Sequence, residues 1–272
     1  MKKKGEKGEM SFLEHVEELR WHLIRSILAI LLFAILAFVF KSIVFDEILF
    51  APRNSDFITN KLLHKLGDMF NMKSLNINEK PFNLISIRMA GQFSAHISIS
   101  LIAGLIVAFP YVFWQFWRFV QPALHKKEKK YARGAVFYTS LLFSLGVLFG
   151  YFVLAPLSIH FLVSYTTSTD VTNQIYLMSY VSTISSIVLA SGVVFELPVL
   201  VYFLSMVGIV NPRFLKKYRK HALVLILLLA AIITPPDIFS QILVAIPLLG
   251  LYEIGISISR KIERRAAKKM AG

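Results

Sequence analysis

The chain has 272 residues, of which 56% are hydrophobic and only 17% charged, and its formal net charge is +14. Its mean hydropathy of +0.63 excludes an ordinary water-soluble domain, in which about 25% of residues are charged. The absence of cysteine excludes disulfides, thiolate metal sites and a cysteine nucleophile. The composition predicts a membrane protein with several spans.

The first predicted element is an amphipathic helix within residues 1–22. In the stretch SFLEHVEELRWHL, the apolar residues Phe12, Val16, Leu19 and Leu23 share one helix face, and acidic residues occupy much of the rest. We expect this helix to lie along the cytoplasmic surface before the first span. No cleavable signal peptide is predicted, because the start MKKKGEKGEM does not lead into an apolar run ending in small residues.

Six stretches are interpreted as transmembrane helices, each of which needs about 20 mostly apolar residues. They cover residues 23–43, 93–117, 134–157, 176–207, 222–233 and 238–258. The fifth stretch is too short to cross a bilayer alone at about 1.5 Å per residue. Joined to the sixth by TPPD, it is expected to form a tight hairpin that thins the bilayer or does not extend fully across it.

The basic residues predict the orientation of these spans. Lysine and arginine cluster in residues 1–25, in the loops between spans 2 and 3 and between spans 4 and 5, and in the tail 259–272. The stretch 158–178 and the TPPD turn contain none. The positive-inside rule therefore places both termini in the cytoplasm.

The segment 44–91 between the first two spans is long and of mixed polarity. Within it, NKLLHKLGDMF places Leu62, Leu63, Leu66 and Met69 at helical spacing, which predicts a short amphipathic helix. This helix either rests on the outer membrane surface or packs against the protein's own outer loops.

Two polar side chains fall inside predicted spans. Glu196, in VVFELPVLVYF, is a carboxyl group deep in span 4, where such groups are rare and generally functional. It either stays neutral and donates a hydrogen bond to a carbonyl freed near Pro198, or it offers a polar contact to a guest segment or a proton-linked step. Gln241 either joins helices within the protein or contacts a partner helix.

Two further carboxylates have competing interpretations. Glu253 is expected to pair with Arg260, seven residues later, or with lipid headgroups. Glu128 stands among four lysines in HKKEKKYAR, between spans 2 and 3. It either weakens the repulsion between those lysines or meets a cation from outside, and the net positive charge of the stretch alone favours the first interpretation.

Motifs of hydrolytic enzymes are missing from the sequence. HExxH, GxSxG and a phosphate-cradling glycine loop do not occur, and the seven histidines show no metal-ligand spacing. We therefore expect no catalytic residues, no metal and no cofactor, and the protein is not expected to be an enzyme.

Several stretches, taken in order along the spans, resemble those of one family. They are HVEELR before span 1, FAP at 50–52, FWRFVQPALHKKEKK after span 2, FELPV in span 4, and TPPDIFSQ, AIP and EIG in the last hairpin. Over residues 11–260 the chain is similar to the TatC family, the multi-span receptor components of the twin-arginine protein translocase. The resemblance implies an all-α polytopic fold of six transmembrane helices in a concave, glove-shaped bundle in the inner (cytoplasmic) membrane.

The resemblance also implies a binding site for signal peptides that carry consecutive arginines. Glu18 and Glu128 match the family's two cytoplasmic glutamates that help bind the arginine pair. Arg20, Phe119 and Pro122 match positions that flank this site. The sequence departs from the family pattern after ELR, where His22 replaces a commonly basic residue, and before span 2, where Gln92 replaces an acidic one.

Other positions carry further implied roles. Glu196 matches the polar position of the concave face, and Pro52 and Pro198 are expected to be structural. The positions near the docking place of single-span partners of the TatA and TatB type are Thr234, Gln241 and Asp237.

The implied function is export of folded precursor proteins, driven by the proton-motive force. The arginine pair would dock between Glu18 and Glu128, the apolar part of the signal peptide would enter the concave face near Glu196, and partner helices would gather at the last hairpin. A homo-oligomer within the bilayer is expected, and nucleic acid is not. A small-solute transporter that uses Glu196, and a structural scaffold for other membrane subunits, remain as alternatives; the lack of internal repeats argues against the transporter.

Overall fold

The computed structural model of the protein describes residues 12–71, 77–78, 82–120, 132–168, 170, 173–234 and 238–270. Across these ranges the chain is helical apart from its connections and one short strand pair. The helices are α1 (Phe12–Val39), α2 (Ile58–Phe70), α3 (Gly91–Val120), α4 (Ala132–Phe149), α5 (Ala155–Ser164), α6 (Leu177–Val194), α7 (Leu197–Met206), α8 (Pro212–Lys217), α9 (Arg219–Ile233) and α10 (Ile238–Met270). The strands are β1 (Leu84–Ile85) and β2 (Ile175–Tyr176), which pair in parallel.

Five helical segments of the described chain are long and apolar enough to cross a membrane. They are His15–Val39, Gly91–Val120, Gly134–Ser164, Leu177–Met206 and Ser240–Arg265. The remaining predicted span, the fifth, corresponds to α9, which has 15 residues. At about 1.5 Å per residue, α9 is roughly 22 Å long and does not match a hydrocarbon core of about 30 Å. The short fifth span predicted from the sequence is therefore a short helix in the structure.

Helix α1 corrects the predicted N-terminal boundary. It continues without a break from Phe12 to Val39, so the separate surface helix ending at residue 22 is wrong. The stretch contains neither glycine nor proline, and nothing in it interrupts the backbone hydrogen bonds between the amphipathic start and the apolar span. The basic stretch predicted as a cytoplasmic tail is helical, because SRKIERRAAKKM continues α10 to Met270; its place in the cytoplasm stays a prediction.

Spans three and four are each made of two helices. In span three a π-helical segment, Gly150–Leu154, separates α4 from α5, and Pro156 lies in the first turn of α5. In span four α6 ends at Val194, and Pro198 lies in the first turn of α7. Proline is tolerated in a first helical turn because the N–H it lacks has no partner there. The break in span four therefore falls at Glu196.

A close helix crossing joins α1 to α3. A Cβ added at Gly104 would lie 2.6 Å from the backbone nitrogen of Ala34 and 2.7 Å from the carbonyl oxygen of Ile30. Only glycine fits this distance, and small residues at crossings are what let membrane helices pack closely. The crossing fixes α1 alongside α3 over much of its length.

The segment between α1 and α3 folds over one end of the bundle. The carbonyl oxygen of buried Pro52 accepts hydrogen bonds from Nδ2 of Asn60 at 3.1 Å and of Asn78 at 3.4 Å. Asn78 Nδ2 also donates to the Pro156 carbonyl at 3.1 Å, which ties this cap to span three. Pro52 is fully buried at the centre of these contacts, in keeping with its predicted structural role.

The predicted amphipathic helix of this segment is α2, which contacts the protein through a face of mixed polarity. Asn60 and Gly67 are buried against the protein, and the Thr59 hydroxyl donates to the Phe152 carbonyl. Leu63 is half-buried, whereas Met69 is exposed. The structure therefore shows packing against the protein itself, and contact of the exposed residues with the outer membrane surface stays a prediction.

Candidate functional site

Several residues that the sequence predicted as functional lie where the start of α1 packs beside the end of α3. The His15 ring stacks on the Phe119 ring with centroids 4.4 Å apart, and the His22 ring meets Phe119 edge-on at 6.4 Å. Glu18 is three residues after His15 and four before His22, so it shares their helix face. The half-buried Glu18 carboxylate is thus placed on the side of α1 that faces Phe119.

A buried hydrogen-bond chain fixes this face of α1 against α3. His22 Nδ1 lies 2.7 Å from Oε1 of Gln115, and Gln115 Nε2 donates to the Tyr111 hydroxyl at 2.6 Å. Gln115 is 1% exposed, so each bond satisfies a polar group that water does not reach.

Sequence reasoning missed His15 and Gln115 and treated His22 only as a departure from the family pattern. The spacing of His15, Glu18 and His22 along one helix face was a signal that could have grouped them. No comparable signal existed for Gln115, because its partner lies 93 residues away in the chain.

Arg20 lies on a different side of α1 from Glu18. Residues two apart on a helix do not face each other, and Arg20 Nη2 instead pairs with Oε1 of Glu17 at 3.3 Å. Both side chains of this pair are exposed, so the pair contributes little to stability. Glu18 therefore lies on the α1 face whose histidines contact Phe119, and Arg20 does not.

Three predicted site residues, Pro122, Glu128 and Asp237, lie outside the described residues. Helix α3 ends at Val120, directly after Phe119, and α4 begins at Ala132. Both Pro122 and Glu128 belong to the sequence between these two helices, and Pro122 is three residues after Phe119.

Glu196 lies inside the bundle at the break between α6 and α7. It occupies the N-cap position of α7, but its side chain makes no capping bond. Both carboxyl oxygens are buried and have no hydrogen-bond partner among the described residues, and a nearby backbone group of Phe143 does not reach hydrogen-bonding geometry. The predicted bond to a carbonyl freed near Pro198 is therefore wrong. A buried carboxyl without a partner is unfavourable, which leaves Glu196 available to a polar group from outside the chain.

The polar residues of the last hairpin bind within the protein. Thr234 is buried and its hydroxyl donates to the Ala230 carbonyl at 2.9 Å, where α9 ends. Gln241 Nε2 donates to the Leu227 carbonyl at 3.1 Å and so joins α10 to α9. Of the two interpretations of Gln241, the structure shows the internal one.

Glu253 has a different partner from the one predicted. Its Oε2 pairs with Nη2 of Arg219, at the start of α9, and not with Arg260. Residues seven apart are two turns, about 10.5 Å, from each other along a helix, whereas α9 packs directly against α10.

The amino-acid sequence is similar to that of known proteins along most of its length. The family described as "Sec-independent protein translocase protein (TatC)" matches residues 14–247. A Sec-independent protein translocase protein TatC from Blattabacterium sp. subsp. Periplaneta americana (strain BPLAN) is 43% identical over 264 residues, covering 96% of this chain and 99% of its own length. The protein of the same name from Aquifex aeolicus (strain VF5) is 36% identical over 257 residues, with 94% and 97% covered.

Solved structures agree with these sequence matches. A crystal structure of the twin-arginine translocase receptor TatC superimposes with a TM-score of 0.66 at 34% identity, covering 92% of this chain and 99% of that one. A second crystal structure of that receptor, in DDM, gives a TM-score of 0.68 at 35% identity, with 90% and 99% covered.

Proposed function

This chain belongs to the TatC family and is a core component of the twin-arginine (Tat) protein translocase, and on that premise we propose that it receives twin-arginine signal peptides where α1 meets α3. The observation that carries the proposal is the position of Glu18, on the α1 face whose neighbours His15 and His22 both contact Phe119. There Glu18 is half-buried on a helix that contacts the end of α3. Glu128 follows the end of α3 by eight residues in the sequence.

The chemistry of this face suits arginine better than lysine. A guanidinium binds a carboxylate through two parallel hydrogen bonds, which an ammonium group cannot form. Two carboxylates, Glu18 and Glu128, match two consecutive arginines. Charge-assisted hydrogen bonds each contribute about 1.5–3 kcal/mol, so replacing the arginine pair by lysines is expected to weaken binding at least about tenfold.

The orientation that this function requires is supported by the charges. We place the α1 start, the loop with Glu128 and the end of α10 in the cytoplasm, because lysine and arginine cluster there. The cap built around Pro52 then lies on the opposite side of the inner membrane.

Glu196 supplies the second contact in this proposal. After the arginine pair docks, the apolar part of the signal peptide enters the bundle beside the break in span four. A backbone or side-chain donor of the peptide then satisfies the carboxyl oxygens that the described part of the chain leaves without a partner.

We propose that partners of the TatA and TatB type dock along the α9–α10 hairpin. Ile232 and Ile246 expose 73% and 64% of their surface there, and both lie on the helices that Gln241 joins. Thr234 follows the last residue of α9, and Asp237 is assigned to the same docking region from its position in the sequence alone. Copies of the chain assemble with these partners, and the proton-motive force supplies the energy for export.

Capture of a precursor tests the docking step. A folded precursor with an RR signal peptide and its KK variant are compared on the purified protein in detergent, using wild type, Glu18→Gln, Glu128→Gln and the double variant. Glu17→Gln is the matched control, because it removes the same charge one residue away from the Phe119 face.

We expect RR capture to fall in each variant and most in the double, with Glu17→Gln near wild type. Equal capture by all five proteins, or equal capture of RR and KK precursors, would refute the proposal.

A further inference from the structure

Helix α2 presents three different faces. One face, at Asn60 and Gly67, is buried against the protein. A second face carries exposed apolar side chains, which are Ile58, Leu62, Met69 and Phe70. A third carries exposed charged side chains, which are Lys61, Lys65 and Asp68. At about 100° per residue, these three sets divide the circumference of the helix between them.

Contacts with span three fix the direction of these faces. The Thr59 hydroxyl donates to the Phe152 carbonyl, and the Phe57 ring stacks on the Phe152 ring with centroids 5.5 Å apart. Asn60 Nδ2 donates to the Pro52 carbonyl at 3.1 Å. The start of α2 is therefore held to the bundle by side chains on both sides of its first turn.

The contact at Phe152 lies near a membrane surface. Phe152 is 18 residues beyond Gly134, the first residue of span three, which is roughly 27 Å along a helix at about 1.5 Å per residue. That length is close to the hydrocarbon thickness of about 30 Å. Span three continues to Ser164, so its last turns extend past this depth.

Span one places the same surface at the same depth. Residues 26–40 contain no charged side chain, and charges resume between Lys41 and Glu47. The hydroxyl of Tyr151 donates to the Ile48 carbonyl at 2.7 Å, so the two spans are joined where span one becomes charged. Tyrosine is enriched at this depth of a bilayer. Both spans therefore put the start of α2 at the membrane surface.

We propose that α2 lies flat in the headgroup layer on the side of the Pro52 cap and buries its exposed apolar face in lipid. The apolar and charged faces both run along most of the helix, from Ile58 to Phe70 and from Lys61 to Asp68. An upright helix would put the charged face in hydrocarbon or the apolar face in water, and both are unfavourable. The proposal goes beyond the reception of signal peptides and does not depend on it.

The composition of α2 selects lipid as the occupant. Ile58 and Met69 each expose 69% of their surface, and an exposed apolar face beside a charged one is characteristic of helices that lie in the membrane interface. Lys61 Nζ pairs with Oδ1 of Asp56 at 3.1 Å, so this lysine already has an anionic partner. Apolar contact, and not attraction to anionic lipid, is therefore what holds α2 at the surface.

Spin labels test the surroundings of each face. The chain has no cysteine, so single cysteines can be introduced and labelled in the full protein, reconstituted in phosphatidylcholine vesicles. Leu62→Cys and Met69→Cys report on the apolar face, and Asp68→Cys on the charged face of the same helix is their matched control. Leu28→Cys, at a position in span one that is 60% exposed, is the reference for lipid. Accessibility is measured to oxygen, which concentrates in lipid, and to a water-soluble nickel chelate.

We expect the ratio of oxygen to nickel accessibility to be at least about threefold higher at Leu62 and Met69 than at Asp68, because an interfacial helix buries its apolar face about 5–10 Å into the bilayer. Leu28 should give the highest ratio. The difference should be the same in vesicles that contain phosphatidylglycerol. All four positions are exposed, so labelling should leave the fold intact, and the unfolding temperature of each labelled protein checks this.

Three outcomes would overturn the proposal. Equal ratios at Leu62, Met69 and Asp68 would show that α2 lies wholly in water. A difference that appears only with phosphatidylglycerol would show that the lysines, and not the apolar face, hold the helix at the membrane. Shielding of Leu62 and Met69 from both reagents would show that protein, such as a second copy of the chain, covers the apolar face.

Discussion

His22 on α1 and Gln115 on α3 are joined by a hydrogen bond of 2.7 Å between Nδ1 and Oε1. This bond lies one turn beyond Glu18 and on the same helix face. With the His15–Phe119 stack it holds that face against α3 from two sides. We therefore expect the position of Glu18 to depend on this half-buried contact between two uncharged polar side chains.

The first prediction concerns this contact. Gln115→Leu should lower the free energy of unfolding by about 1–3 kcal/mol, because it removes both hydrogen bonds of the buried Gln115 amide, one with the half-buried His22 ring and one with the Tyr111 hydroxyl. It should also weaken capture of an RR precursor, because the α1 face that carries Glu18 would lose a hydrogen bond to α3. Unfolding is measured by SDS titration of the protein in mixed micelles. Gln92→Leu, an exposed amide at the other end of α3, is the control.

A double-mutant cycle separates the bond from other effects of these substitutions. If Gln115 and His22 act through each other, the losses in Gln115→Leu and His22→Phe should not add. Additive losses would contradict a shared contact.

The second prediction concerns Glu196. Removing a buried carboxyl that has no partner should leave the free energy of unfolding unchanged or raise it, by up to about 2 kcal/mol in Glu196→Leu. Export in membrane vesicles should nevertheless fall in that variant, because the proposed polar contact with the signal peptide is lost.

Glu196→Gln distinguishes a contact from a proton carrier. The amide keeps the shape and can hydrogen-bond, but it cannot take up or release a proton. Export at the wild-type rate in Glu196→Gln would remove any obligate proton step, and export at that rate in Glu196→Leu would remove the contact as well.

The third prediction compares two helical glycines. Gly104→Ala should destabilise the protein by about 1–3 kcal/mol, because its Cβ would meet the α1 backbone at Ala34 and Ile30. Gly250→Ala should be neutral or stabilise α10 by about 0.5–1 kcal/mol, since a Cβ there meets nothing within 4 Å. Thermal unfolding of the two variants in the same detergent tests the difference. Equal effects would mean that α1 and α3 do not cross this closely.

The fourth prediction concerns the ion pair between Arg219 and Glu253. Their side chains are 52% and 51% exposed at the surface of the bundle, and Arg219 belongs to the basic segment that we place in the cytoplasm, so we expect water to screen the attraction. A double-mutant cycle with Arg219→Gln and Glu253→Gln should give a coupling energy below about 1 kcal/mol. A larger coupling would show that the pair is shielded, for example by lipid or by a partner helix.

Most of the helices could be predicted from the sequence, because helix formation depends on local patterns of apolar residues. Runs of apolar residues located the spans, the twelve residues of ALVLILLLAAII indicated a short fifth helix, and helical spacing located α2. The boundary at residue 22 was wrong because amphipathic and apolar stretches form equally good helix, and periodicity does not show whether they are joined. The parallel pair of β1 with β2 carries too few residues for any pattern to reveal it.

The sequence by itself determined that this chain is an all-α membrane protein, where its positive charges lie, and which family its motifs resemble. The tertiary structure alone decided that Glu18 faces Phe119 while Arg20 does not, that Gln241 is bonded to Leu227, and that Glu253 pairs with Arg219. Span and charge patterns reside in neighbouring residues and can be read along the chain. Side-chain partners are set by which helices cross and at what distance, as at Gly104, and those contacts join residues that the linear sequence keeps far apart.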